Sequence, residues 1–268
     1  VISLGGSFVF CCGVEDNQTW QYWSEKYLDK TTDGKRYEIL NAGQGGADIV
    51  HIADEMTEES LKFKPDAIIL FSAYNNMHFI DREKETSLTW KMSYFFYNIS
   101  LFYAMLREKV SLIVYKDNNY FLYNYNNACN KKDIENTIKL YREKLDSIYE
   151  KCNTNNIVLI AGLQPIFTPA GLSHLQNLFD SEQLETIDRK LQNEGRLTYY
   201  ELYYYMQSRQ NQEMKNFAEE KGVLLFDATS IFPADKYLYF IDQIHLNKMG
   251  TQLMGEKLAS FIKSCNME

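Results

Sequence analysis

A serine near the beginning of the chain and a histidine near its end are the side chains best suited to chemistry. Ser7 follows the apolar run Val1–Leu4 after two glycines, and His245 comes three residues after Asp242. A serine hydroxyl attacks a carbonyl only when a base takes its proton, and a carboxylate can hold an imidazole in the tautomer that does so. Because the acid and the base lie close together in sequence, one short loop can place both. These three residues therefore predict a nucleophilic hydrolase.

Five short apolar runs are predicted to form the sheet that positions these residues. They are Val1–Leu4, Tyr37–Leu40, Ala67–Phe71, Ile157–Ile160 and Val223–Phe226. Each run is too short for a helix, and longer amphipathic segments separate the runs, which is the pattern of βαβ units around a parallel sheet. We therefore expect a doubly wound α/β fold, closed by a last helix over about Lys248 to Ile262. In such a fold, ligands bind beyond the carboxyl ends of the strands.

Small and polar residues follow the first four predicted strands. In chain order they are Gly5-Gly6-Ser7, Asn41–Gly46, Ser72–Asn76 and Gly162–Pro165. Glycines permit positive φ angles and close backbone approach, so main-chain N–H groups can point at a ligand. Glycines, amides and hydroxyls thus collect where the fold predicts the binding site.

The length and composition favour a single domain over residues 1–268. A chain of 268 residues, of which 45% are hydrophobic, can bury one substantial core, and α/β domains often reach about 250 residues. Two segments, roughly residues 80–155 and 165–222, exceed what a minimal α/β domain needs. We expect both to be helical insertions that build the substrate pocket.

Charge and residue types argue against several classes of partner. The formal net charge of −8 offers no basic surface to a nucleic acid backbone. The four histidines and five cysteines show no metal-ligand spacing, so we expect no metal site.

The compartment is not determined by the sequence. No signal peptide or membrane-spanning helix is visible, yet the chain begins within a predicted strand, so its beginning looks trimmed. If an export signal or anchor upstream of Val1 has been removed, the protein is extracytoplasmic. Membrane contact and the oligomeric state stay open.

Four sequence blocks, in this order, resemble those of the SGNH hydrolase family, also called GDSL esterases. They are Gly5-Gly6-Ser7, the Asn-x-Gly-x-x-Gly form at Asn41–Gly46, Ala73–Asn76 after a buried strand, and Asp242-x-x-His245. The blocks span nearly the whole chain. The resemblance implies a flavodoxin-like, five-stranded parallel sheet flanked by helices. It also implies a serine esterase or deacylase that needs no cofactor.

The resemblance also implies a role for each matched residue. Ser7 would attack an ester carbonyl, His245 would take its proton, and Asp242 would hold the imidazole. The backbone N–H groups of Ser7 and Gly46 and the side-chain amide of Asn75 would form the oxyanion hole. Gln164, after the fourth strand, is assigned a supporting role in lining the substrate pocket.

Three positions depart from the pattern of the family. Gly6 replaces the aspartate of the Gly-Asp-Ser form, Ala73 replaces the glycine of the third block, and Asn76 replaces its aspartate. The last change removes a charge that would help to orient the loop. The changes at Ala73 and Asn76 bear on the oxyanion hole more than on the nucleophile, whereas Gly6 does not by itself argue against activity.

Each block also has a non-catalytic interpretation. Gly-Gly-Ser after a strand is commonly a turn, and Asp-x-x-His is commonly the start of a helix. Asp227, which ends a strand, is a second candidate for the partner of the histidine, although a structural role is favoured for it. A degenerate SGNH domain that binds a glycan or a protein is therefore an alternative to an esterase, as is an O-acyltransferase that uses the same residues. A third interpretation is flavodoxin-like cofactor binding. For the esterase, the expected partner is a small-molecule or glycan ester, with an O-acetylated glycan preferred.

Overall fold

The computed structural model describes residues 1–29, 36–77, 127–128, 131–166, 181–197, 199–233 and 238–265. Within these ranges the chain forms two compact units. Residues 1–76, 138–166 and 207–265 belong to the first unit, and residues 77, 127–137 and 181–206 belong to the second.

The first unit is built on a parallel sheet. In chain order, the strands of the described residues are β1 (Ile2–Gly5), β2 (Leu40–Asn41), β3 (Ala67–Phe71), β4 (Asn127–Ala128), β5 (Val158–Leu163), β6 (Arg196–Leu197) and β7 (Leu224–Asp227). Five of them form the sheet in the order β2-β1-β3-β5-β7, and every neighbouring pair is parallel. This order confirms the predicted doubly wound, flavodoxin-like fold.

The second strand begins later than predicted. The sequence predicts a strand over Tyr37–Leu40, but β2 covers only Leu40 and Asn41 at the edge of the sheet. β2 pairs with β1 from Leu40, which lies opposite Ile2, and the N–H of Ile39 donates to the Glu25 carboxylate over 2.6 Å. The ladder with β1 sets the bounds of β2, and an apolar run alone does not show where such pairing begins.

The described helices flank the sheet or belong to the second unit. In chain order they are α1 (Ser7–Phe10), α2 (Trp20–Asp29), α3 (Ile49–His51), which continues through a π turn (Ile52–Met56) into α4 (Thr57–Leu61), α5 (Lys131–Thr154), α6 (Ser181–Glu194), α7 (Tyr199–Lys221) and α8 (Lys248–Ser264). The bounds of α8 confirm the predicted last helix. Among the described helices, none has the length and apolarity that crossing a bilayer requires.

Phe71, at the end of β3, fills the centre of the core. Its ring lies over Gly162, where an added Cβ would be 2.3 Å from a ring carbon. Its carbonyl oxygen lies 2.4 Å from the position of a Cβ on Gly5. Three aromatic rings pack edge-on against it, with centroid distances of 5.3, 5.9 and 6.3 Å: Phe8, Trp20 and Phe226. Glycine at residues 5 and 162 therefore lets the two neighbouring strands approach Phe71 closely.

The second unit falls, apart from residue 77, within the two segments predicted as insertions. It contains α6 and the antiparallel pair β4–β6. Within it, the Lys190 ammonium bonds both Glu201 oxygens, and the Tyr205 hydroxyl donates to Asp188. Residues 80–126, most of the first predicted insertion, lie outside the described residues. A single domain whose insertions build the pocket stays a prediction.

Close packing of α2 against α8 gives a stability prediction. A Cβ on Gly255 would lie 2.8 Å from the Trp20 carbonyl oxygen and 2.9 Å from the Ser24 nitrogen, both backbone atoms that cannot rotate away. We expect Gly255→Ala to lower the free energy of unfolding by about 1–2 kcal/mol, because overpacking outweighs the better helix propensity of alanine. Urea denaturation measures this change. Ser260→Ala, at an exposed position on α8, is the control, and an unchanged midpoint for Gly255→Ala would contradict the packing argument.

Candidate active site

The end of β1 delivers Ser7 to the edge of the sheet. Gly6 follows the strand in an extended conformation, and its carbonyl oxygen accepts hydrogen bonds from the N–H groups of Val9 and Phe10 at 3.0 Å. These bonds start α1 with Ser7 as its first residue. The N–H of a first helical residue has no acceptor within the helix, so it is free to bind a ligand atom.

Asp242 and His245 lie in one hydrogen-bonded turn. An antiparallel bridge joins Phe240 to Leu246, and the N–H of Ile241 donates to the His245 carbonyl oxygen over 2.8 Å. Within the turn, Asp242 Oδ1 accepts the backbone N–H groups of Ile244 and His245 at 2.9 and 2.8 Å. The acid is thus placed by the backbone of the same turn that carries the histidine.

Ser7, His245 and Asp242 form a continuous hydrogen-bonded chain. Ser7 Oγ lies 2.8 Å from His245 Nε2, although the two residues are 238 positions apart. His245 Nδ1 lies 2.6 Å from Asp242 Oδ2. The structure therefore brings together the three residues to which the sequence assigns the central chemistry. A hydroxyl, an imidazole and a carboxylate in this arrangement can transfer a proton from the hydroxyl to the imidazole.

The electrostatics of the turn keep Asp242 charged. Burial raises the pKa of this carboxyl, but the hydrogen bonds from the His245 ring and from the backbone N–H groups of His245 and Ile244 outweigh it. Together they lower the pKa of Asp242 from 3.8 to about 2. At neutral pH the group is a carboxylate, which accepts the Nδ1 proton of His245 and leaves Nε2 as the acceptor for the serine.

A small pocket opens beside Ser7. Its empty volume is about 210 Å³, its open mouth included. The lining residues are Gly6, Ser7, Phe8, Ala47, Ser72, Ala73, Tyr74, Asn75, Gln164 and Ile244. Asn75 and Gln164 thus line the same pocket as the serine. Gly46 is not among the lining residues, but it directly precedes Ala47, which is.

The Asn75 side chain occupies the space that a side chain at residue 6 would need. Its Nδ2 donates to the Ala47 carbonyl oxygen over 3.0 Å and lies only 2.3 Å from the position of a Cβ on Gly6. A carboxamide nitrogen carries two N–H groups, so one remains for a ligand. The departure at Gly6 is therefore compatible with the amide of Asn75 beside Ser7, because glycine leaves room for it.

The loop of the second block packs against α1. The N–H of Gln44 donates to the Gly5 carbonyl oxygen, and the Asn41 side chain accepts from the N–H of Gly43, both at 3.0 Å. A Cβ on Gly43 would lie 2.2 Å from the Phe10 nitrogen, so only glycine permits this approach. Gly46 has a φ of 78°, which glycine adopts without strain. These contacts hold the loop that carries Gly46 against the helix that carries Ser7.

Asp227, the other candidate acid for His245, bonds a different group. Asp227 Oδ1 accepts the N–H of Thr229 over 2.8 Å and caps the short turn after β7. The described hydrogen bonds of the His245 ring run to Asp242 and Ser7 instead. Asp242, rather than Asp227, is therefore the acid bonded to this histidine.

Two glutamines make contacts at the site that the sequence did not predict. Gln243 accepts a hydrogen bond from the Tyr74 hydroxyl over 3.3 Å, which links the histidine turn to the pocket wall. Gln210, in α7, accepts from the side chain of Asn76 over 3.0 Å. Neither contact has a signal in the local sequence, because each joins segments more than a hundred residues apart.

The lowered pKa of Asp242 gives a pH-dependent prediction. Stability from such a carboxylate is present above its unfolded-state pKa of 3.8 and is lost as the pH falls through about 2. We expect the difference in free energy of unfolding between wild type and Asp242→Asn to shrink over that range. Because the Asp242 side chain is 52% exposed, the difference at neutral pH should not exceed about 1 kcal/mol.

Urea denaturation at a series of pH values measures this difference. Asp16→Asn, at an exposed turn, controls for the removal of a surface charge. A difference that stays the same down to the lowest pH at which wild type folds would contradict the assigned contacts of Asp242.

Comparison with known proteins relates this fold to esterases and lipases. No model of a known protein family matches the sequence, and no curated protein matches it. Among solved structures, an acetyl xylan esterase is similar at 16% identity and a TM-score of 0.52, covering 97% of this chain and 98% of its own. A catalytic mutant of an acetylxylan esterase from Geobacillus stearothermophilus is similar at 10% identity and a TM-score of 0.54, covering 97% of this chain and 92% of its own.

A GDSL-like lipase from Bacteroides thetaiotaomicron is similar at 10% identity and a TM-score of 0.51, covering 98% of this chain and 87% of its own. At such identities, likeness over nearly the full length of both chains is a likeness of fold. The chain therefore has the α/β fold of the SGNH, or GDSL-type, hydrolases.

Proposed function

We propose that this protein is a serine esterase that removes an acyl group from an oxygen ester through a covalent intermediate on Ser7. The observation that carries the proposal is the chain of hydrogen bonds from Ser7 Oγ to His245 Nε2 at 2.8 Å and from His245 Nδ1 to Asp242 Oδ2 at 2.6 Å. The esterases and lipases that share the fold give it further support.

In the proposed reaction, Ser7 Oγ attacks the carbonyl carbon of the ester while His245 Nε2 takes the hydroxyl proton. Asp242, held as a carboxylate, stabilises the imidazolium that forms. The tetrahedral intermediate collapses when His245 returns the proton to the leaving alcohol. Water then attacks the acyl group on Ser7 while the same histidine takes a proton from it, and His245 returns that proton to Ser7 Oγ as the carboxylic acid leaves.

The developing oxyanion needs donors that face the pocket. The N–H of Ser7, the N–H of Gly46 and the second N–H of Asn75 Nδ2 are the proposed donors. Ala47 fixes the plane of the Asn75 amide by accepting its first N–H. Loss of one such donor typically lowers the rate by about 10²–10³-fold.

The proposed substrate carries a small acyl group, with an O-acetylated glycan preferred. The pocket beside Ser7 is small, and the side chains of Phe8, Tyr74 and Ile244 contribute to its walls. Two of the proteins that share the fold are named as acetyl xylan esterases. This small space favours a short acyl group, because a long one would have to displace the walls.

The activity test uses p-nitrophenyl acetate and a fluorophosphonate that labels activated serines. We expect wild type to hydrolyse the ester and to be labelled, and Ser7→Ala to lose labelling and at least about 10³-fold in kcat/KM. Ser260→Ala, an exposed serine on α8, is the control and should behave as wild type. If wild type is neither labelled nor faster than Ser7→Ala, the esterase proposal is wrong. That result would support the interpretation of the chain as a non-catalytic binding module.

The acyl preference has a separate test. We expect kcat/KM for p-nitrophenyl acetate to exceed that for the octanoate ester by at least about 10-fold, since the added methylenes do not fit the pocket. Ile244→Ala, which shortens a wall residue, should narrow this ratio, and a thermal melt confirms that the variant is folded. Equal rates on both esters in wild type would contradict a small acyl site.

A further inference from the structure

Asn76 makes three buried hydrogen bonds directly beside the candidate oxyanion donor Asn75. The residue is fully buried. Its Oδ1 accepts the N–H of Ile49 over 2.7 Å, and its Nδ2 donates to the Ala73 carbonyl oxygen over 3.2 Å and to Gln210 Oε1 over 3.0 Å. Both polar atoms of this carboxamide therefore have partners.

The orientation of this amide follows from two backbone groups. The N–H of Ile49 can only donate, and the carbonyl oxygen of Ala73 can only accept. The oxygen of Asn76 must therefore face Ile49 and its nitrogen must face Ala73. The side chain of Gln210 is also fully buried. Because the nitrogen of Asn76 is a donor, the Gln210 atom that bonds it must be the oxygen Oε1.

The contacts of Asn76 join the two loops that carry the candidate oxyanion donors. Ile49 is the first residue of α3, three residues after Gly46, and its N–H has no acceptor within the helix. Asn75 binds the carbonyl oxygen of Ala47 in the same loop. The adjacent carboxamides of Asn75 and Asn76 thus bond this loop at Ala47 and Ile49, the residues before and after Asp48.

We propose that Asn76 and Gln210 form a buried amide pair that positions the oxyanion donors Asn75 and Gly46, and that the pair requires a neutral donor at residue 76. This inference rests on the proposed esterase function. Both are positioning residues, because neither is among the residues that line the pocket with Ser7. Gln210 contributes by bonding to Asn76 from α7, a helix that contains none of the four sequence blocks.

A carboxylate at residue 76 would fit poorly for a physical reason. One carboxylate oxygen could still accept the N–H of Ile49. Gln210 could turn its amide so that its nitrogen donates to the other oxygen. However, that second carboxylate oxygen would face the Ala73 carbonyl oxygen, which is also an acceptor. A buried carboxyl in this place should bind a proton, because only the protonated form can donate to that oxygen.

The kinetic test uses Gln210→Leu, which removes the acceptor of Asn76 while keeping a similar side-chain volume. We expect kcat for p-nitrophenyl acetate to fall about 10–100-fold with KM changed less than about threefold, because the oxyanion donors act mainly in the transition state. The control is Ser24→Ala, which removes a hydroxyl that is equally buried and donates to the Trp20 and Gly255 carbonyl oxygens at 2.8 and 3.2 Å. It should lower stability with kcat unchanged.

The second test uses Asn76→Asp and does not depend on activity. The pKa of the introduced carboxyl should be raised by burial, so the destabilisation relative to wild type should grow as pH rises above the unfolded-state pKa of about 3.9. We expect the gap in Tm between the two proteins to narrow when the pH is lowered from about 8 to about 5.

The outcomes separate this inference from the proposed function. If wild type is no faster than Ser7→Ala, both proposals are wrong. If wild type is active and kcat of folded Gln210→Leu stays at the wild-type value, or falls no more than that of Ser24→Ala, only the amide pair is overturned. A Tm gap for Asn76→Asp that does not change with pH also overturns it.

Discussion

The hydrogen bond between Ser7 and His245 is the contact on which the proposed chemistry depends. It joins the end of the first strand to a turn before the last helix, 238 residues later. The carboxyl ends of parallel strands meet at one edge of a sheet, and β1 lies between β2 and β3. The sheet therefore places Ser7 at this edge, between the ends of β2 and β3, while the packing of α8 on α2 brings the histidine turn to the same edge.

The close backbone contacts around Ser7 depend on glycines, which have no side chain to separate the segments. Gly5 lies against the Phe71 carbonyl oxygen, Gly43 lies against α1, and Gly6 leaves room for the Asn75 amide. An added methyl group at any of these positions would meet another atom at 2.4 Å or less. Steric demand, as much as hydrogen bonding, thus determines which residues can stand beside the nucleophile.

The departures from the family pattern have compatible surroundings in this chain. Where the third block usually carries an aspartate, Asn76 uses its amide to bond Ile49, Ala73 and Gln210. The loss of charge there does not leave the loop without contacts, because neutral hydrogen bonds hold it. The loop is instead tied to α7, outside the segments on which the family resemblance rests.

The order of apolar runs and motifs in the sequence was enough to predict the parallel fold and to select Ser7, Asp242 and His245. Such patterns report local geometry, since a strand, the turn after it and an acid three residues from a base are each set by a few neighbouring residues. Only the tertiary structure decided that β2 begins at Leu40, that Asp242 rather than Asp227 bonds the histidine, and that Gln210 meets Asn76. Each of these depends on side chains from distant parts of the chain packing together, and local sequence carries no record of such contacts.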